Sequence, residues 1–279
     1  MTAPLARNDL HVAEPSTDEQ EAHRRRGGLP ILRGMRAAFA FFTRVPVGGF
    51  PYEDRELAWA PAHAPAVGAV LGAALGALAL VLFPLGPLPA AAIVVGLSML
   101  LTGALHEDGL ADTSDALGGG QDRTGILTIL KDSRVGSFGA AAIAVSVLVR
   151  ATLLGQIGNA CVWALPLAWC GARVGPVWLM VLLPYVTPAQ SSKSVPIVNP
   201  QWRLAIVATA WFLGAAAIVI ALGRLDLLRL GVAAAVLAAA TALSGVLYRR
   251  RLGGITGDFL GATEQLGEMA LLAVFAWPS

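Results

Sequence analysis

The chain has 279 residues, of which 56% are hydrophobic and 14% charged, with a mean hydropathy of +0.67. Soluble domains carry about 25% charged residues, so an ordinary water-facing surface is excluded, and a net charge of +2 leaves no footprint for nucleic acid. The composition is that of an all-α, polytopic transmembrane helical bundle.

The first 30 residues contain five acids and four arginines without apolar periodicity. They read as a disordered cytoplasmic tail ending in Arg24, Arg25 and Arg26, without the apolar core of a signal peptide. Residues 31–279 read as one membrane-embedded domain. Within it, residues 33–47 are basic and aromatic (Arg36, Phe39, Phe41, Phe42, Arg44), too short and too charged to span. An interfacial helix is expected there.

A helix needs about 20 apolar residues to cross a bilayer. Residues 62–83, 88–105, 136–157, 204–222 and 230–248 fit, although Arg150 interrupts the third. Residues 161–186 are apolar but broken by Pro166, Arg173, Gly175 and Pro176, which leaves one crossing or two. Residues 260–277 carry Glu264 and Glu268 in their first half. With 161–186 as one crossing, seven crossings are expected, within a range of six to eight. A cytoplasmic N-terminus then puts 16 of the 20 Lys and Arg residues on the cytoplasmic side. Segments 106–135, 187–203 and 249–263 all face the cytoplasm in that topology. Cys161 and Cys170 lie in apolar sequence and read as small buried hydrophobes.

Six of the 18 carboxylates lie between Glu107 and Asp132. Asp108, Asp112 and Asp115 fall within about 60° of one another on a helix. Like charges at that spacing repel, and no Lys or Arg lies between Leu105 and Gln121. A hard divalent cation, Mg²⁺ foremost, would resolve the conflict. Further on, Lys131, Asp132, Ser133 and Arg134 precede Gly136, Ser137 and Gly139 at the start of a span. The N–H groups of a helix start, with an arginine beside them, suit a phosphate. Gly118, Gly119 and Gly120 would form a hinge between the two sites. Acids, cation and phosphate donors together describe phosphoryl transfer at a membrane surface. His106 is a candidate base beside these acids, Asp112 or Asp115 the more plausible one where it is not a ligand, and Asp258 in a Gly-rich turn is a candidate ligand or substrate contact. Arg173 beside a Pro-Gly break and Lys193 at the next cytoplasmic opening are candidate substrate contacts, since a charge inside a span needs a partner or a polar cavity.

Three segments carry a family resemblance. The run His106, Asp108-Gly109-Leu110-Ala111-Asp112-Thr113, Asp115, then Lys131-Asp132-Ser133-Arg134 and Gly136, resembles the signature of the cobalamin synthases, the adenosylcobinamide-GDP ribazoletransferases. Phe42-Thr43-Arg44-Val45-Pro46 and Gly253-Gly254-Ile255-Thr256-Gly257-Asp258 with Leu260-Gly261-Ala262 are similar to that family's flanking elements. The first of these adds Arg44 to the candidate substrate residues. The resemblance implies a Mg²⁺-dependent enzyme of the bacterial inner membrane with its active site facing the cytoplasm. Its substrates would be adenosylcobinamide-GDP and α-ribazole or α-ribazole 5′-phosphate. GMP would leave, and adenosylcobalamin or its phosphate would form. The chain departs from the family pattern at Glu107, where an apolar residue is usual, and at Glu264-Gln265, where Asn-Glu is usual.

Two rival readings are weaker. A CDP-alcohol type phosphotransferase would have arginine after Ala111, where Asp112 stands. A transporter would suit Arg150 and Arg173, but no matched inverted halves are present. The sequence leaves the oligomeric state open, a homo-oligomer included.

Overall fold

A computed structural model describes residues 30–48, 54–186 and 201–278. Residues 1–29 of the expected tail over 1–30, and Lys193, lie outside the described residues, while Pro30 opens the first helix. The described chain is helical: α1 (Pro30–Phe42), α2 (Asp54–Leu57), α3 (Ala60–Leu82), α4 (Pro87–Thr102), α5 (Leu105–Gly119), α6 (Arg123–Ile129), α7 (Ser137–Ile157), α8 (Cys161–Ala172), α9 (Val174–Leu182), α10 (Trp202–Ala221), α11 (Leu227–Arg251) and α12 (Gly257–Ala276). Local signals set the ends. The Asp226 and Thr256 side chains accept from the N–H groups of Arg229 and Phe259, and Arg249, Arg250 and Arg251 fill the last turn of α11. Large apolar residues such as Val81, Leu100, Ile218 and Leu243 face outward, as the surface of a protein solvated by lipid requires.

Among the described residues, five helical stretches are long and apolar enough to cross a membrane, or six if the bent pair α4–α5 counts as one. The longest, Ser137–Leu182 with 46 residues, doubles back. α7 runs parallel to α12, since Ser146 bonds Gln265, Arg150 meets Glu268 and Gln156 reaches the Ala276 carbonyl. α8 runs antiparallel to α12, with Arg173 at Glu264 and Trp163 against Phe275. The chain reverses at Gly158, whose φ is +59°. α8 and α9 then form one passage broken at Arg173, as the single-crossing reading of 161–186 expects. Counting the doubled-back stretch as two, and α4 with them, the passages among the described residues are α3, α4, α7, α8 with α9, α10, α11 and α12.

Close helix packing follows from small residues. Gly68, Gly72 and Gly76 form a stripe on α3 where any Cβ would run into the α8 backbone at Trp169, Pro166 and Cys161, the close approach typical of membrane helices. Cys161 and Cys170 are buried and free. α5 leaves α4 at 91°, because Gly103 and Ala104 both adopt left-handed backbone, φ +68° and +56°. Alanine in that region costs roughly 1–2 kcal/mol. α5 therefore turns off the α4 axis, with its first turn still at the depth where Arg150 meets Glu107 and Glu268. The glycine triplet is no loose hinge. Gly118 and Gly119 end α5, and the Arg251 guanidinium donates to the Leu117 and Gly120 carbonyls at 3.2 and 2.6 Å.

Candidate active site

Gly109 of α5 and Gly261 of α12 set the site. A Cβ on Gly109 would meet the Asp258 carbonyl and the Gly261 Cα, so two motifs some 150 residues apart touch because both lack side chains there. The contact brings Asp108 and Asp258 to one cavity of about 160 Å³. His106 and Arg173 line it as well. Its remaining walls are largely apolar, with Phe41 and Phe42 from α1, Ala64 from α3, Val177 and Met180 from α9, and Tyr185. Tyr185 is held there by a backbone bridge to Ile255, where a Cβ on Gly254 would strike the Pro184 carbonyl.

The carboxylates divide by partner. Asp108 is exposed, Asp112 and Asp258 are half-buried, and none of the three forms a salt bridge among the described residues. Asp112 is pushed up to about 6 by burial first, then by Asp108, Asp258 and Asp115. Four acids therefore sense one another, as the helical spacing predicts, with Asp258 joining from α12.

Asp115 departs from the expected cation site. Its Oδ2 accepts from Gly136 N–H at 2.7 Å and its Oδ1 from Gly139 N–H at 2.8 Å, and the residue is 9% exposed. Asp115 caps α7, and the N–H groups expected to hold a phosphate at Gly136 are taken by this carboxylate. The reason is local: a helix start attracts the nearest buried anion. A Cβ on Gly136 or Gly139 would collide with the Asp115 carboxylate. Among the described residues, no group of three His, Cys, Asp or Glu side chains is disposed to hold a metal ion. The expected cage of Asp108, Asp112 and Asp115 is thus not formed. Mg²⁺ commonly takes only one or two protein carboxylates, completing its shell with water and substrate phosphate. The unpaired Asp108 and Asp112, with Asp258 nearby, fit that smaller requirement.

The other candidates lie elsewhere. Lys131, Ser133 and Arg134 are exposed between α6 and α7 and do not line the cavity. Arg134 forks onto Asp132, with Nε to Oδ1 at 2.9 Å and Nη2 to Oδ2 at 2.6 Å. Those hydrogen bonds hold Asp132 down at about 2. Arg44 donates its backbone N–H to Leu101 and its guanidinium lies against Gly103, so it secures the α4–α5 corner while Phe41 and Phe42 of the same segment reach the cavity.

Behind the cavity lies a charge network that motif reading missed. Arg150 meets Glu107 at 2.9 Å and Glu268 at 3.5 Å. Arg173 meets Glu264 at 2.8 Å, donates to the Trp169 carbonyl and lies over the Trp169 ring. All five charged groups are buried. Glu264 also accepts from Gln265, which in turn accepts from Ser146. Arg173 thus lines the cavity but already has an acid partner. The available signal was Arg150 itself, because an arginine in a span demands an acid at its own depth. The two departures from the family pattern, Glu107 and Glu264-Gln265, both belong to this network. His106 stacks on Phe42 with rings 6.2 Å apart, is 7% exposed, and its Nε2 has no hydrogen-bond partner.

Comparison with known proteins agrees with the motifs. The profile of cobalamin-5-phosphate synthase matches residues 34–276. An adenosylcobinamide-GDP ribazoletransferase of Leptothrix cholodnii is 39% identical over 258 residues, covering 86% of this chain and 92% of its own. Relatives of the same name from a Polaromonas species and from Bradyrhizobium diazoefficiens are 39% and 38% identical, over 86% and 88% of this chain and 95% and 94% of theirs. No solved structure matches. With the match spanning all three motifs and nearly the whole described bundle, the chain belongs to the cobalamin-5-phosphate synthase family.

Proposed function

We propose that this protein transfers the adenosylcobinamide-phosphate group of adenosylcobinamide-GDP to α-ribazole or α-ribazole 5′-phosphate. It would do so at the cytoplasmic face of a bacterial inner membrane, in a late step of cobalamin biosynthesis. The observation that carries the reading is the meeting of Asp108 and Asp258 at one cavity through the Gly109–Gly261 contact. Asp108 and Asp112, one turn apart on α5, would hold Mg²⁺. When bound, the ion would neutralise charge on the phosphate oxygens. Asp258, facing them from α12, would accept the proton of the attacking ribazole hydroxyl. The hydroxyl oxygen forms a bond to the cobinamide-proximal phosphorus, the bond from that phosphorus to the GMP oxygen breaks, and GMP departs.

A donor of this size extends well beyond a 160 Å³ cavity. Lys131, Ser133 and Arg134, exposed where α7 begins, remain within the proposal as cations and a hydroxyl for its diphosphate, now through side chains alone. Lys193 keeps the same role. The decisive experiment reconstitutes the purified protein in liposomes with adenosylcobinamide-GDP, α-ribazole and Mg²⁺ and follows GMP release. Release that stops with EDTA and returns with Mg²⁺ is expected. No GMP release under any divalent cation would overturn the reading.

A further inference from the structure

The cavity asks for something that its acids do not explain. Its walls are mostly apolar, yet it opens beside Asp108 and Asp258 at the end of the bundle where the chemistry is proposed. Phe41 and Phe42 on one side, Ala64, Val177 and Met180 on others, offer flat and aliphatic contact but few hydrogen bonds. Asp108 and Asp258 stand at its edge, where the chemistry is proposed, and Arg173 is engaged by Glu264 at 2.8 Å. His106 differs: 7% exposed, stacked on Phe42, and with Nε2 unpartnered. A buried nitrogen left without a partner is costly unless a ligand supplies one. The site is therefore built for a flat, apolar group carrying a single hydrogen-bonding atom.

Three ring systems take part in the proposed reaction. The corrin ring with its amide fringe is far too large for about 160 Å³. Guanine presents donors and acceptors on its edges, which the apolar walls would strip of water without replacing. The dimethylbenzimidazole of α-ribazole is a fused bicycle with two methyl groups and one free ring nitrogen. Resting on the ribazoletransferase reading, we infer that this cavity seats the aromatic base of the nucleoside acceptor. Phe41, Phe42, Ala64, Val177 and Met180 form its walls, and His106 meets the free ring nitrogen. The base seated there places its ribose at the Asp108 and Asp258 edge of the same cavity. α1 then has a role in acceptor recognition in addition to packing Ala37 and Ala38 into the bundle core.

A size exchange tests the seat. Ala64→Leu fills part of the cavity and should raise KM for α-ribazole about ten- to hundredfold, the weight of one or two misfit methylenes. KM for adenosylcobinamide-GDP should stay within about twofold of wild type, which also reports an intact fold. The riboside of unmethylated benzimidazole should recover most of the loss in Ala64→Leu while being the poorer acceptor for wild type. Val177→Leu carries the same test from α9 if Ala64→Leu does not insert. His106→Leu should raise KM for both acceptors alike. An increase in KM for adenosylcobinamide-GDP instead of the nucleoside would overturn the assignment, as would equal losses for both acceptors in both filled variants. Wild-type protein that releases GMP with neither acceptor would overturn the transferase reading as well, which separates the two failures.

Discussion

Glu107 and Asp108 are neighbours with the same charge, and the fold sends them to opposite circumstances. Glu107 points into the bundle, where Arg150 meets it at 2.9 Å and Glu268 completes the group. Asp108 faces the cavity with no basic partner among the described residues and with Asp112 and Asp258 for company. In the first region charge is cancelled by charge, and its effect is to lock α5, α7 and α12 together. In the second, charge of one sign accumulates, and folding leaves the conflict for a cation and a phosphate to settle. The same charge one position apart is structural in one place and chemical in the other. Partners decide which.

That contrast can be broken experimentally. The largest effect is expected for Arg150→Met, which strands Glu107 and Glu268 as buried like charges. Removing one member of a buried pair costs about 3–5 kcal/mol, read as a large fall in thermal midpoint in detergent or failure to insert. A midpoint unchanged by Arg150→Met would show that the network is not holding the helices. Asp108→Asn should do the reverse. Turnover is expected to fall by ~10²–10⁴-fold, the weight of losing the several kcal/mol that a held cation supplies to the developing charge, with the thermal midpoint unchanged. Near-wild-type GMP release in both Asp108→Asn and Asp258→Asn would remove the acid cluster from the chemistry.

Asp115 tests where the boundary between the two regions runs. As the cap of α7 it should, on Asp115→Ala, cost about 0.5–2 kcal/mol of stability and reduce turnover far less than Asp108→Asn. Turnover lost as completely as in Asp108→Asn, with stability intact, would return Asp115 to the cation site. The smallest effect belongs to Arg134→Lys. A side-chain clamp on the diphosphate should lose roughly tenfold in kcat/KM, since lysine cannot reproduce the guanidinium fork. A value within about twofold of wild type would mean that Arg134 and Asp132 pair only with each other.

The bundle was legible from hydropathy and punctuation. Each apolar run between residues 60 and 276 became helix with ends within a few residues of those expected, and the break between α8 and α9 fell where Arg173, Gly175 and Pro176 interrupt the pattern. The acidic face of α5 was also legible, because helical spacing alone puts Asp108, Asp112 and Asp115 together. What spacing could not show is which neighbour each carboxylate finds. Asp115 sits on the shared face yet turns to α7, where the N–H groups of Gly136 and Gly139 engage both of its oxygens. Arg134, placed beside a helix start in sequence, found Asp132 two residues away.

The partners of Arg150 and Arg173 lay beyond reach for another reason. A charge inside a span announces that it needs an opposite charge at the same depth, but the helix that supplies it depends on how the passages are arranged around one another. The cavity is a product of that arrangement too. Its walls come from α1, α3, α5, α9 and α12, and no local pattern records that Phe42, Ala64 and Met180 share one space. Helices, their order and the acid stripe follow from short-range spacing and solvation by lipid, which act along the chain. Pairing, capping and the shape of the cavity follow from contacts between segments far apart in sequence, and those exist only once the passages have packed.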